Sequence, residues 1–147
     1  MLKGLITLPD KHLRYISHEN TGAGIIIHVE STSKKAACPY CGIVSRRAHS
    51  RYVRKLQDLP IQGKKVKLYL KNKKYFCVNT VCSYKTFAEQ FLFYEPNSVR
   101  TKRLQEEILR VSLTQSSISA SKYLCNSIAD IGKSAICDIL KKERKKD

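Results

Sequence analysis

Residues 38–42 read CPYCG and residues 77–82 read CVNTVC, and these two cysteine pairs decide how the middle of the chain folds. Each pair is short enough for one turn to direct two sulfur atoms at a single point. Two such pairs far apart in sequence supply the four thiolates that a tetrahedral zinc site prefers. We therefore predict that Cys38, Cys41, Cys77 and Cys82 together bind one Zn²⁺ ion.

The first pair also permits a redox interpretation. CPYC is letter for letter the active-site motif of glutaredoxins, in which the first cysteine begins a helix of a βαβ unit and has a low pKa. A thiol redox enzyme would have a reactive Cys38 and no metal, but no βαβ pattern surrounds this motif and the second pair would have no role. His49 could replace a ligand, although we expect it to be exposed or to contact phosphate. Cys125 and Cys137 fall on apolar helix faces and are interpreted as small buried hydrophobic residues.

The stretch between the pairs is strongly basic. Residues 38–85 contain twelve lysines and arginines against a single acid, Asp58, and the 147-residue chain has a net charge of +16. Such a field attracts nucleic acid or an anionic membrane. Tyr52, Tyr69 and Tyr75 lie among the cations and could stack on bases or pack against lysine stems. The candidate phosphate-binding residues are Arg46, Arg47, Arg51, Arg54, Lys55, Lys64, Lys65, Lys67, Lys71, Lys73 and Lys74.

A membrane partner is not expected. The longest aliphatic run, Ile25–Ile27, is far shorter than the ~20 apolar residues of a spanning helix. Residues 1–10 lack the apolar segment of a secretory signal. We therefore expect a cytoplasmic, nucleoid-associated protein in a reducing compartment, where paired cysteines more often bind metal than form disulfides.

Periodicity predicts an α+β protein. Residues 65–71, KVKLYLK, alternate so that the aliphatic side chains point inward and the lysines outward. Further strands are predicted near 13–17, 24–30 and 51–56, with a turn at 59–63 because of Pro60 and Gly63. Residues 1–95 are thus predicted to form a small antiparallel, zinc-ribbon-like β domain around the four cysteines.

The pattern becomes helical after Pro96. Leu104, Ile108 and Val111 share one helix face, and Ser98 or Thr101 could cap its N-terminus. A second helix is predicted from residues 116–117, a break at 126–132, a third helix from 133, and a frayed tail at 141–147. Residues 96–147 are predicted to form a helix-turn-helix DNA-binding domain, with ordinary three-helix packing as the alternative. In the former, the third helix would enter the major groove with Lys133, Ser134 and Asp138 facing outward.

Several runs together resemble the N-terminal half of bacterial insertion-sequence transposases of the "ISL-three" type. The most specific are HVESTSKKAACPYCG at 28–42, HSRY at 49–52, LQDLP at 56–60, and KKYFC at 73–77 continuing to Cys82; FAEQ at 87–90 also fits. Residues 99–140 resemble the helix-turn-helix of that family.

The resemblance implies a module that recognises double-stranded DNA at transposon ends, with full-length transposase as a further partner. In the family, three carboxylates of an RNase H-like domain hold two metal ions for strand transfer. The chain stops at Asp147 and its twelve acids are scattered, so we expect a truncated or orphan fragment with no catalytic residues. The alternative is a zinc-ribbon adaptor that binds RNA or protein, which explains the cysteines and the charge but not the helix-turn-helix.

Overall fold

The computed structural model describes residues 7–114 and 117–146, which form a β-rich part followed by three helices. The α+β prediction is confirmed at this level. The strands are β1 (Leu13–Thr21), β2 (Gly24–Ser31), β3 (Ala36–Ala37), β4 (Val44–Ser45), β5 (Ala48–Ile61), β6 (Lys64–Phe76) and β7 (Thr86–Ala88). The helices are α1 (Lys102–Ser112), α2 (Ser117–Ser127) and α3 (Lys133–Lys146).

The main sheet is mixed, so the prediction of an antiparallel sheet is wrong in one pairing. Its strand order is β1-β2-β6-β5, and β7 pairs with the far end of β6. The β1–β2, β5–β6 and β6–β7 pairs are antiparallel, whereas β2 and β6 run parallel from Ile25↔Val66 to Glu30↔Lys71. A parallel pair needs a long connection, and here that connection contains the first cysteine pair and β5.

The two faces of the sheet differ as the alternation predicts. Val66, Leu68 and Leu70 of β6 are buried on one face, with Ile27, Val29 and Leu56. Phe93 and Tyr94 cover this face and complete its core. On the other face of the hairpin Tyr75 is buried with Phe87 at one end, whereas Arg51, Lys55, Lys67 and Lys71 are exposed.

The hairpin turn is shorter than predicted. Strand β5 continues through Leu59, Pro60 and Ile61, and the turn is made by Gln62 and Gly63, both with positive φ. The register shifts between Asp58 and Ile61. Proline is tolerated there because β5 is an edge strand and the ladder is already interrupted.

The edge of β5 is joined to the helical part. The backbone N–H of Gln57 donates to the carbonyl of Val99 (2.8 Å), and the N–H of Thr101 donates to the carbonyl of Gln57 (3.0 Å). The buried Asp58 carboxylate accepts from the Thr101 hydroxyl (2.8 Å) and forms a two-pronged ion pair with Arg103. Thr101 is also the N-cap of α1, as predicted, so the start of α1 is fixed to the sheet.

The three helices share an apolar core with each other. Leu104, Ile108 and Val111 of α1 are buried against residues of α2 and α3, and Leu59 of β5 packs against the same cluster. Helix α3 begins at Lys133 as predicted, but it extends to Lys146, so the prediction of a frayed tail from residue 141 is wrong. The helix-turn-helix and the boundary between residues 95 and 96 remain predictions. None of the described helices has the length and hydropathy of a membrane-spanning segment.

A buried polar network lies beneath the connector that leads to the first cysteine pair. The Ser31 hydroxyl donates to one oxygen of the Glu89 carboxylate (2.7 Å), while the other oxygen is buried without a partner among the described residues. Burial raises the pKa of Glu89, although the Ser31 hydroxyl and Lys73 offset part of the shift. An acid whose pKa is raised on folding binds its proton more tightly in the folded state. Its contribution to stability is therefore lost as the pH rises from its ordinary pKa of 4.5 through the folded value.

We expect Glu89→Gln to be more stable than the wild type at neutral pH, by about 1 kcal/mol, because the variant buries no charge. The difference should grow as the pH rises from 4.5 to 7.5, which urea unfolding at several pH values will measure. Glu106→Gln is the matched control because that carboxylate is exposed. A stability difference that does not change with pH would contradict the assignment.

Candidate metal centre

The first cysteine pair lies in the loop of the β3–β4 hairpin. The N–H of Cys38 donates to the carbonyl of Ile43 (3.0 Å), and the N–H of Gly42 donates to the carbonyl of Cys38 (2.8 Å). Gly42 has a φ of 80°, a conformation that glycine adopts without a steric penalty. This tight turn brings the sulfur atoms of Cys38 and Cys41 together, as the sequence predicts.

The second pair lies between β6 and β7. The N–H of Cys77 donates to the carbonyl of Lys85 (2.9 Å), and the N–H of Cys82 donates to that of Asn79 (3.2 Å). The Asn79 side chain also accepts from the N–H of Val81 (3.2 Å). The five-residue separation of the two cysteines is thus closed by a turn that Asn79 stabilises from within.

The four sulfur atoms form one cluster. All of them lie within 4.8 Å of one another, and the sulfurs of Cys41 and Cys77 are 3.6 Å apart. Sulfurs bound ~2.3 Å from a tetrahedral Zn²⁺ ion are about 3.8 Å apart, so the cluster fits this ion. All four cysteines are free thiols. The four-cysteine grouping is therefore confirmed, and zinc is the ion that its donor set favours.

The electrostatics of the thiols also favour a cation. The N–H of Ile43 and the side chain of Asn79 lower the pKa of Cys41 to about 7. The N–H of Asn79 favours the Cys77 thiolate in the same way, but burial and hydrogen bonds with neighbouring thiols raise the pKa of Cys77 to about 12. The Cys41 thiolate therefore forms near neutral pH, whereas the Cys77 thiolate needs a nearby positive charge to form there.

The site is supported by a small core of its own. Cys38 is buried with Tyr75 and Phe87, whose rings are stacked with centroids 5.9 Å apart. These few side chains form a much smaller core than that of the main sheet. Zinc at this site would therefore contribute folding energy, because it joins two cysteine turns that share only this small core.

The geometry does not favour the redox interpretation. The CPYC motif lies between two short strands, so Cys38 is not at the N-terminus of a helix. It is also only 1% exposed. The second cysteine pair lies directly against the first.

The predicted phosphate-binding residues fall into two groups. Six of them have partners within the chain, because Arg47, Lys55 and Lys74 lie over the rings of Phe76, Tyr69 and Tyr52, and three more contact other segments. Arg54 lies over the Tyr94 ring and donates to the Ser98 carbonyl (2.7 Å), Lys65 forms an ion pair with Asp130 (2.9 Å), and Lys73 donates to the Ser33 carbonyl (2.7 Å). The other five are exposed, and so are the two residues predicted on the third helix: Arg46, Arg51, Lys64, Lys67 and Lys71, with Lys133 and Ser134.

Two features of the site were not predicted. Asp58 was noted only as a lone acid, yet it holds α1 to the sheet through Arg103. A single acid in a basic strand could have predicted an ion pair, since a buried carboxylate needs a basic partner. The rings of Tyr40 and Tyr84 stack across the two cysteine turns, with centroids 3.5 Å apart. This contact depends on how the turns meet, so local sequence gives no signal for it.

Comparison with known proteins agrees with the cysteine geometry. Residues 34–82 match a family described as the zinc-finger of transposase IS204/IS1001/IS1096/IS1165. The match spans both cysteine pairs and the β5–β6 hairpin, about a third of the chain. No curated protein and no solved structure matches the chain. The segment 34–82 is therefore similar to the zinc ribbon of ISL3-type transposases, which confirms the resemblance for that part of the sequence.

Proposed function

We propose that this chain is a zinc-stabilised module that binds double-stranded DNA at transposon ends, in the cytoplasm and in association with the nucleoid. The observation that carries the proposal is a row of cations on the uncovered face of the β5–β6 hairpin, inside a segment similar to a transposase zinc ribbon. Full-length transposase is a further proposed partner. We propose no strand-transfer chemistry for the chain itself.

The row follows from the register of the hairpin. Arg51 faces Lys73, Val53 faces Lys71, Lys55 faces Tyr69 and Gln57 faces Lys67 on this side of the sheet. Exposed cations therefore follow one another as Lys67, Lys55, Lys71 and Arg51, at intervals of ~7 Å along the strands. Phosphates along one strand of B-DNA advance ~3.4 Å per nucleotide, so a cation faces every second phosphate over about six base pairs.

The rest of the same face is closer to neutral. Arg14 of β1 is paired with Glu30 of β2, and His28 of β2 hydrogen-bonds Glu19 of β1 (3.3 Å). The unopposed positive charge is thus concentrated on the β5–β6 half. Counterion release from DNA depends on contacts of this kind, and they supply affinity without reading sequence.

Sequence discrimination is assigned to helix α3. Lys133, Ser134, Lys141 and Arg144 are exposed along it, and Lys133, Lys141 and Arg144 fall on one flank by helical spacing. The other flank, with Asp138 and Glu143, lines a groove against α1 that also contains Glu95 and Glu106. Arg100, Lys102 and Lys142 also line this groove, so its charges nearly balance, and the more positive Lys133 flank is the one proposed to enter the major groove.

The test is the salt dependence of binding to a duplex that carries a transposon end. We expect Lys67→Gln/Lys71→Gln to weaken binding to all sequences alike and to reduce the slope of log Kobs against log salt by about 2. The matched control is Lys11→Gln/Lys122→Gln, which removes the same charge from two exposed lysines away from the row. Fluorescence anisotropy between ~50 and ~200 mM salt measures both slopes.

Equal slopes for the two variants would contradict the role of the row. Tighter binding to RNA duplex than to DNA would favour the RNA-binding adaptor instead. Salt-insensitive binding by the wild type would reject phosphate contact as the source of affinity.

A further inference from the structure

The two cysteine turns together present an exposed pair of parallel aromatic rings. Tyr40 follows Cys38 and precedes Cys41 in the first turn, and Tyr84 lies two residues after Cys82 in the second. Their planes differ by 9° and their centroids are 3.5 Å apart. The side chains nevertheless remain 56% and 50% exposed. The rings cover each other on one side only, so each has an outer face open to solvent.

This pair is not part of the buried core. The apolar cluster beneath the cysteines consists of Cys38, Tyr75 and Phe87, with Ala36 and the other three cysteines packed against it, and includes neither Tyr40 nor Tyr84. Isolated aromatic pairs favour offset or edge-to-face contacts over a close parallel sandwich. A parallel column, by contrast, can be extended by another flat ring on either outer face.

The basic residues near Tyr40 and Tyr84 in sequence indicate which kind of flat ligand would stack on the pair. No acidic residue occurs between Glu30 and Asp58 or between Asp58 and Glu89. Tyr84 is followed directly by Lys85, and the same ribbon has exposed cations at Lys34, Lys35, Arg46 and Arg47. A ligand that combines flat rings with negative charge is a nucleic-acid strand with unpaired bases.

Exposed aliphatic side chains also occur in the two turns, at Ile43, Val44, Val78 and Val81. They are compatible with a protein partner. However, the cores of protein–protein interfaces are depleted of charge and lysine, whereas this ribbon is rich in lysine and arginine. Charge therefore favours nucleic acid as the occupant.

We propose that the Tyr40–Tyr84 column stacks on an unpaired DNA base, so that the chain binds a duplex with a single-stranded overhang more tightly than a blunt one. The proposal rests on the proposed DNA-binding function and adds a second kind of contact to it. In a duplex the bases are already stacked on one another, so away from the helix ends the column has access only to unpaired bases.

The experiment uses the zinc-loaded full chain and three labelled DNAs of the same duplex sequence. One is blunt, one has a four-nucleotide overhang, and one has an abasic overhang that supplies phosphates without bases. We expect the base-containing overhang to bind about tenfold more tightly than the abasic one, as base–aromatic stacking predicts. Tyr40→Ala/Tyr84→Ala should abolish that ratio, whereas Tyr40→Phe/Tyr84→Phe should preserve it.

Tyr123→Ala is the matched control because Tyr123 is similarly exposed but lies on α2. Zinc content of each variant is measured to show that the cysteine site is intact.

The decisive quantity is the ratio of the affinities for the base-containing and the abasic overhang. A ratio near one for the wild type, or a ratio that the alanine variant retains, would overturn the stacking proposal while leaving duplex binding in place. Failure of the wild type to bind any of the three DNAs would overturn the proposed function itself. A tyrosine pair that served protein docking would leave all three affinities unchanged in the alanine variant.

Discussion

Cys77→Ser is expected to unfold the two cysteine turns and to abolish stoichiometric zinc binding. The wild type should contain one zinc per chain, because the four cysteine sulfurs lie within 4.8 Å of one another. Structural zinc contributes on the order of 10–16 kcal/mol in small peptides at neutral pH. The core that supports the site is only Cys38, Tyr75 and Phe87 with a few neighbours, which is too small to replace that energy.

The loss of folded structure in Cys77→Ser should be confined to the two cysteine turns and the short strands beside them. The core of the main sheet is a separate cluster that includes Leu56, Val66, Leu68 and Leu70, so strands β1, β2 and most of β5 and β6 should remain folded. Hydrogen exchange should show lost protection in residues 36–47 and 77–88 and retained protection in the central hairpin. Metal analysis of purified protein gives the stoichiometry.

Cys125→Ser is the matched control. Cys125 lies on α2, and its thiol donates to the Ile131 carbonyl (3.0 Å), a contact that a serine hydroxyl can also make. This variant should keep both zinc and fold. A zinc-free wild type with a reactive Cys38 would instead favour the redox interpretation. A normally folded Cys77→Ser variant would show that the metal is not structural.

How far the sequence predicts this molecule depends on whether the signal is local. The alternation of residues 65–71 predicted which side chains of β6 enter the core, and the structure buries Val66, Leu68 and Leu70 accordingly. The cap at Thr101 and the start of α3 at Lys133 follow from side chains that act within one turn. The cysteine grouping was predictable because a metal site demands four converging ligands whatever the intervening fold.

Other features depend on contacts between distant segments. The parallel pairing of β2 with β6 has no local pattern, since either direction of β6 presents the same alternating face. Pro60 predicted a turn because proline is common in turns, but it is equally compatible with an interrupted edge strand. Arg54, Lys65 and Lys73 were indistinguishable from their neighbours by sequence, although each has a partner on another segment.

Arg103→Met is expected to destabilise the chain by about 3–5 kcal/mol, the cost of breaking a buried ion pair by removing one partner. The Asp58 side chain is only 3% exposed, whereas that of Arg103 is 31% exposed. Removal of the arginine therefore leaves a carboxylate in the interior that still accepts from the Thr101 hydroxyl but has lost its positive partner. This loss is a large fraction of the 5–15 kcal/mol that typically stabilises a domain.

Asp58→Asn should cost less, because the freed guanidinium can turn toward water and the asparagine carbonyl can still accept from Thr101. The double variant should be no less stable than Arg103→Met alone, since an amide needs no counter-charge. Urea unfolding of the wild type, the two single variants and the double variant gives the coupling free energy between Asp58 and Arg103.

Glu95→Ala is the control. It removes the exposed ion pair with Lys102 and should cost less than about 1 kcal/mol. If the Arg103 and Asp58 effects were additive and as small as the Glu95 effect, the ion pair would not be what fixes α1 to the sheet. A large, non-additive cost would instead mean that the ion pair holds the start of α1 against β5, the strand that carries Arg51 and Lys55.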